Sequence, residues 1–279
     1  MKFATVDLPS AKGHILAHTV SVGASSLKKG ITLDDKNLDQ LRRAKCDTVT
    51  VAMLEKGDIT EDEAAKTLAK AFLSKDIKAS VAFAGRVNLI ADADGVIVLD
   101  TDAINAFNFV DHAITIATLN THVRVKKGAL LATLKIIPYG VSKQSVLAAL
   151  ACLGGDSLKL YAFKTKSCDL ILTSTQGFKA SLLAKAERTI KARIAPLNMR
   201  MNNCQTVDHN PEAIKAALDT STSDMVLILG ASATSDIGDV VPAGILAANG
   251  TIERFGMPVD PGNLLLLGAH QGRAVVGLP

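Results

Sequence analysis

Apolar residues recur along this chain in two styles. Up to about residue 153, short β-branched runs and amphipathic stretches follow one another irregularly. Residues 14–22 are strand-like, and 27–33 reads as a turn followed by a short strand edge. A helix is predicted over 34–44, because Asp34 and Asp35 suit its positive end and Leu38 and Leu41 fall three apart on one face. Residues 48–51, Thr-Val-Thr-Val, form a β-branched strand. Thr60 followed by Glu63 matches a capping box and opens an Ala-rich helix to about residue 73. Strands are predicted at 81–83, 95–99, 113–119 and 129–137, with helices at 101–110 and 142–153. Gly154-Gly155-Asp156 breaks the pattern, which sets the expected domains at 1–155 and 156–279.

Beyond the break the pattern becomes an alternation. Strands are predicted at 158–163, 169–173, 225–229, 251–255 and 274–277, and helices at 178–194, 211–218 and 240–249. Strand and helix taking turns is the signature of a doubly wound sheet. The expected fold class is therefore α/β: a mixed α/β N-terminal domain, then a mostly parallel, doubly wound C-terminal sheet.

Length and composition agree with two domains and narrow the function classes. The chain has 279 residues, of which 48% are hydrophobic and only 4% aromatic, so the cores must be built from Ala, Val, Leu and Ile. The net charge of +4 comes from 31 basic and 27 acidic residues spread along the chain, without the Lys/Arg blocks of a nucleic-acid arm or a polybasic membrane anchor. Neither nucleic acid nor membrane is expected as a partner. The first residues carry an acid and no apolar run of signal-peptide length, and no stretch approaches about 18 uninterrupted apolar residues, so a cytoplasmic location is expected. Cys46, Cys152, Cys168 and Cys204 stand far apart without C-x-x-C spacing and read as free thiols rather than a metal site.

The strongest chemical signal runs from Met225 to Asp239, where a buried strand passes into Gly230-Ala231-Ser232, then hydroxyls, then Asp236 and Asp239 before a helix. In open α/β sheets ligands bind beyond the carboxyl ends of the strands, and small residues there let a phosphate approach backbone N–H groups. The plain alternative is a Gly/Ser loop whose Asp239 caps the helix. Asp208 ends a predicted strand, and either orients a ligand or caps the helix that follows. Pro261-Gly262 suits a type II turn. The six histidines are dispersed; His14 and His18 share a side of a strand-like stretch and read as exposed residues. Ser174 lacks a Gly-x-Ser-x-Gly elbow, which argues against hydrolase chemistry. Arg86, Lys126, Lys127 and Lys135 could form a basic patch for an anion, or be ordinary surface charge.

In their order, Thr173-Ser174-Thr175, Val207-Asp208, Gly230-Ala231-Ser232 with Asp236 and Asp239, Pro261-Gly262 and Gly277-Leu278-Pro279 resemble the molybdopterin-binding superfamily over roughly the last 120 residues. Residues 13–51 look like the opening region of molybdate-insertion proteins. Gly85-Arg86-Val87-Asn88-Leu89, Lys135-Ile136-Ile137-Pro138-Tyr139 and the segment 255–264 resemble more closely the molybdopterin-binding region found fused to bacterial molybdenum cofactor cytidylyltransferases. The resemblance implies that Thr173, Ser174, Thr175, Asp208, Gly230, Ala231, Ser232, Asp236, Asp239, Pro261, Gly262 and Asn263 bind molybdopterin or the molybdenum cofactor. It also implies a partner nucleotidyltransferase domain or another cofactor-biosynthesis protein, and allows a homo-oligomer. No transferase follows Pro279, so a shortened or stand-alone half is expected.

Two departures bear on catalysis. Where insertion enzymes place an acid after Ser-Thr-Gly this chain reads Gln176-Gly177-Phe178-Lys179, and where they place Lys after Pro-Gly it has Asn263. Asp236 and Asp239 remain as candidates to hold one magnesium ion, but no residue is assigned a catalytic role. The expectation is a substrate-holding module of molybdenum-cofactor biosynthesis that does not turn its ligand over alone. The alternatives are an active molybdopterin adenylyltransferase or molybdate-insertion enzyme, and a nucleotide-dependent Rossmann enzyme. The last is weakened because no Gly-x-Gly-x-x-Gly follows the first strand of the second domain.

Overall fold

Short antiparallel ribbons, not one continuous sheet, make up the first half of the chain. The computed structural model describes residues 1–164 and 166–279 and falls into two units, Met1–Phe163 and Lys164–Pro279. In the first unit the elements are β1 (Lys2–Asp7), β2 (Ile15–Leu16), β3 (Val20–Val22), β4 (Ser25–Leu27), α1 (Asp35–Arg43), β5 (Thr48–Met53), β6 (Asp58–Thr60), α2 (Glu61–Ala69) and β7 (Ile77–Ala79). They continue with β8 (Arg86–Ala91), β9 (Gly95–Leu99), α3 (Thr101–Phe109), β10 (Ile114–Thr118), β11 (Arg124–Val125), β12 (Leu130–Ile136), β13 (Gly140–Ser142), α4 (Lys143–Ala151) and β14 (Leu158–Ala162). The larger sheets run β1-β5-β2, β10-β12-β8-β7 and β11-β9-β14. One core gathers Leu16, Leu33, Leu38, Leu41 and Val51. A second gathers Leu68, Phe72, Phe107, Leu134 and Ile136.

The helix starts follow local chemistry. Asp34 accepts from Asn37 N–H at 2.8 Å while the Asn37 side chain accepts from Asp34 N–H at 3.1 Å, a reciprocal capping box. At Thr60 the hydroxyl accepts from Glu63 N–H at 3.4 Å. Asp34→Ala removes the stronger cap, and is expected to lower stability by about 1 kcal/mol in urea titration.

Several predicted strands move. Residues 81–83 are not a strand; the chain turns there, with Ala84 at φ 48° and Gly85 at φ 69° and an isolated bridge between Phe83 and Arg86. The strands β1 and β8 stand where the sequence reading placed none. The expected boundary at Gly154–Asp156 lies one strand before the observed division, because β14 pairs antiparallel with β9, Leu158 opposite Leu99, and so belongs to the first unit.

The second unit contains β15 (Ser167–Ser174), α5 (Ala180–Ile194), β16 (Arg200–Asp208), α6 (Pro211–Thr220), β17 (Met225–Leu229), α7 (Val240–Ala247), β18 (Thr251–Phe255), β19 (Leu266–His270) and β20 (Arg273–Leu278). Its sheet runs β16-β15-β17-β20-β19-β18. The first four of these are parallel. The last two are joined antiparallel, so the sheet is mixed rather than parallel throughout. The reversal has a local cause: Gln271 and Gly272 take φ of 49° and 75°, the double positive φ that closes a two-residue hairpin between β19 and β20.

Alternating residues send the helices to opposite faces. Leu170 and Leu172 of β15 pack with Ile190 and Ile194 of α5. Ile171 packs with Ile214 and Leu218 of α6 and with Val241 and Ile245 of α7. The chain thus leaves β15 toward one face, and leaves its neighbours β16 and β17 toward the other. That divergence makes the carboxyl end of β15 a topological switch point, the place where open α/β sheets bind ligands. Among the described residues no helix is long and apolar enough to cross a membrane.

Candidate functional site at the carboxyl edge of the second sheet

Parallel pairing brings three strand ends together. Ser174 stands opposite Asp208 across β15 and β16, and Leu172 stands opposite Leu229 across β15 and β17. Thr173 is buried, 1% exposed, and its hydroxyl accepts from Ala231 N–H at 2.8 Å. The same hydroxyl lies 2.7 Å from His209 Nδ1, and His209 Nε2 lies 3.0 Å from the Ser232 hydroxyl. The backbone N–H of His209 donates to Ser174 O at 3.0 Å, which ties the residue to the end of β15.

Thr173 Oγ thus accepts from Ala231 N–H and shares a hydrogen with His209 Nδ1, and His209 Nε2 shares one with Ser232 Oγ, the directions being set together by the imidazole tautomer. The relay Thr173–His209–Ser232 leads from a buried strand position to an exposed hydroxyl at the carboxyl edge of the sheet.

Gly230 brings the backbone close. A Cβ there would sit 2.8 Å from Ser232 O and 3.3 Å from Val241 Cγ2, so the loop keeps this path only without a side chain. Nearby, α5 begins at Lys179 with no side chain capping its first turn, while α6 and α7 are capped by Asn210 and Asp239. The uncapped N–H groups of α5 favour an anion.

The other expected residues take different places. Asp208 is exposed and does not cap α6; Asn210 does, accepting from Ala213 N–H at 2.8 Å. Asp239 accepts from Val240 N–H at 2.8 Å and Ser235 N–H at 3.2 Å, and Asp236 accepts from Gly238 N–H at 2.7 Å. Both carboxylates therefore shape their own loop. Thr175 is exposed and its carbonyl accepts from Phe178 N–H at 3.0 Å, closing the turn into α5. Pro261, Gly262 and Asn263 lie in the loop between β18 and β19, where Gly262 has φ 120° and Asp260–Pro261 is cis. Strand order puts that loop on the same sheet edge but two to three strands from β17, roughly 10–14 Å away at the usual spacing. The relay thus joins Thr173, Ala231 and Ser232, with Ser174 and Asp208 at the neighbouring strand ends. Among the described residues, no group of three or more His, Cys, Asp or Glu side chains is gathered that could hold a metal ion.

His209 is the residue that sequence reasoning passed over. It stood as one of six dispersed histidines, and its partners are 36 and 23 residues away. The available signal was its place directly after the strand-ending Asp208.

No family model matches the chain, and no curated protein does. Among solved structures it is similar to the molybdopterin biosynthesis MoeA protein from Pyrococcus horikosii, at 13% identity and TM-score 0.32, covering 100% of this chain and 70% of that one. It is similar to a molybdenum cofactor biosynthesis protein from Pyrococcus furiosus, at 12% identity and TM-score 0.25, covering 100% of this chain and 57% of that one. It is also similar to the CinA protein from Thermoplasma acidophilum, at 16% identity and TM-score 0.31, covering 41% of this chain and 88% of that one. At these identities and TM-scores, none of the three is an argument for what this chain binds or does.

Proposed function

We infer that the second unit holds a phosphate-bearing pterin, molybdopterin or the molybdenum cofactor, at the carboxyl edge of its sheet, as a module of molybdenum-cofactor biosynthesis. The carrying observation is the relay Thr173–His209–Ser232, which joins three strand ends at the switch point and ends on an exposed hydroxyl. The small residues at 230–232 and the uncapped start of α5 suit the phosphate. The pterin identity rests on the sequence motifs. The partner in this reading is a nucleotidyltransferase acting on the held cofactor.

The reading favours holding over turnover. Phosphoryl and nucleotidyl transfer depend on cations that neutralise developing charge, and carboxylates normally hold them. Here Asp236 and Asp239, the candidates for magnesium, are engaged by backbone N–H groups of their own loop. The test is to purify the chain from a host that makes the cofactor, identify co-purified pterin by mass spectrometry, and measure affinity by calorimetry. In parallel, the chain is incubated with molybdopterin, magnesium and ATP or CTP, and with adenylylated molybdopterin and molybdate. Stoichiometric binding without product is expected. Absence of pterin binding would overturn the site, and repeated turnover in either reaction would replace the holding role by an enzymatic one.

A further inference from the structure

The first unit contains a cleft of about 520 Å³, walled by the 28–31 turn, the first turn of α2, the 83–84 turn and residues 135–139. That volume lies within the range of small-molecule sites. Its construction is specific. Gly85 lets two backbones meet, since a Cβ there would lie 2.6 Å from both Glu61 Oε2 and Ile136 O. Gly85 N–H donates to Asp62 Oδ1 at 2.7 Å, which occupies that carboxylate. Tyr139 is fixed by its hydroxyl donating to Ala17 O at 2.8 Å and by the ring of Phe3 set edge-on at 6.1 Å.

Three chemical features converge on this cleft. Lys28, Lys29 and Lys135 supply three positive charges against the carboxylates of Glu61 and Asp62. Phe83 stands at the wall with 81% of its surface exposed, a ring face with open space over it. Glu61 is only 17% exposed at its side chain, and its ammonium neighbour Lys135 is 3.7 Å away and also donates to Ala84 O. Burial pushes the Glu61 carboxyl up, against the pull of Lys135. A shielded carboxylate with acceptor capacity left over suits a paired N–H edge, which it can receive in bidentate fashion.

We propose that this cleft is a second ligand site, for a phosphorylated planar heterocycle that stacks on Phe83, offers a paired N–H and NH₂ edge to Glu61, and sets its phosphate against Lys28 and Lys29. It lies in a different unit from the pterin site and stands or falls separately.

The experiment is calorimetry on the whole chain with GMP, AMP and inorganic phosphate. GMP presents the two-donor edge, whereas AMP presents a donor beside an acceptor. GMP is expected to bind about tenfold or more tighter than AMP, with phosphate weakest. Glu61→Gln converts the wall to one acceptor and one donor, so it narrows or reverses the GMP preference. Lys29→Ala weakens both nucleotides by a similar factor, roughly tenfold, and blunts their salt dependence. Both positions are at the cleft surface, and circular dichroism confirms that the variants are folded. Lack of GMP binding, equal affinity for GMP and AMP, a preference unmoved by Glu61→Gln, or affinities unmoved by Lys29→Ala would overturn the proposal. None of these results touches the pterin measurements on the second unit.

Discussion

Gly230→Val is expected to abolish pterin binding in calorimetry, a loss of about a hundredfold or more, while Ser232→Ala weakens it by only about tenfold. The difference lies in what each side chain does. Ser232 offers one hydroxyl at the end of a relay, and its removal costs one exposed hydrogen bond. At Gly230 a side chain meets Ser232 O at 2.8 Å, which is backbone and cannot swing aside. The loop must then shift, and the Ala231 N–H to Thr173 bond of 2.8 Å that locks it to the sheet is stretched or lost. The overpacking itself costs about 1–3 kcal/mol, which urea titration reads independently of the ligand. Unchanged affinity in Gly230→Val would move the ligand away from this loop.

Asp169→Ala is expected to destabilise the second unit by about 3–4 kcal/mol, the largest stability effect foreseen here. Asp169 is 4% exposed and accepts from the hydroxyls of Ser221 at 2.5 Å and Ser223 at 2.7 Å. Alanine leaves both hydroxyls without their acceptor at sites only 6% and 1% exposed. Burial by itself raises the carboxyl's pKa. The hydroxyls of Ser221 and Ser223 and the backbone N–H groups of Ser223 and Thr222 outweigh it and hold the group below the usual carboxylate range. A carboxyl whose folded pKa is depressed stabilises the fold above its unfolded pKa of about 3.9, and the stabilisation disappears as pH falls through the lower folded value. The parent should therefore lose stability on acidification below about pH 4, and Asp169→Asn should lack that part of the slope. Parallel acid titrations of the two proteins in urea would show it, and superimposable curves would exclude Asp169 as the source.

Elements whose signals are local could be read from the chain. The spacing of Leu38 and Leu41 and the apolar run of β17 needed no knowledge of distant residues, and the helices starting after Asp34, Thr60 and Asn210 emerged close to their expected limits. What escaped depended on partners. The alternation in β8, with Val87, Leu89 and Ala91 buried, is a strand signal that overlaps the motif Gly85–Leu89 and is masked by it. The sequence reading places no strand at β19, because an apolar run shows its direction only once the Gln271-Gly272 hairpin is recognised. In the candidate site Gly230-Ala231-Ser232 stood out as small residues after a strand. The role of His209 did not, since Thr173 and Ser232 reach it only through the parallel register of β15, β16 and β17.

The relay at the switch point takes Thr173 from β15, His209 from the segment after β16, and Ala231 and Ser232 from the segment after β17. No two consecutive strands contain it, so it forms only once β15, β16 and β17 are side by side in register. A molecule held there binds only a unit in which these three strands are assembled, and by mass action it draws the folding equilibrium toward the folded state, by about 2.7 kcal/mol at a hundred times its dissociation constant. Supply of the ligand then governs how long the second unit survives against unfolding as well as whether it is occupied, and its melting temperature becomes a gauge of free ligand concentration.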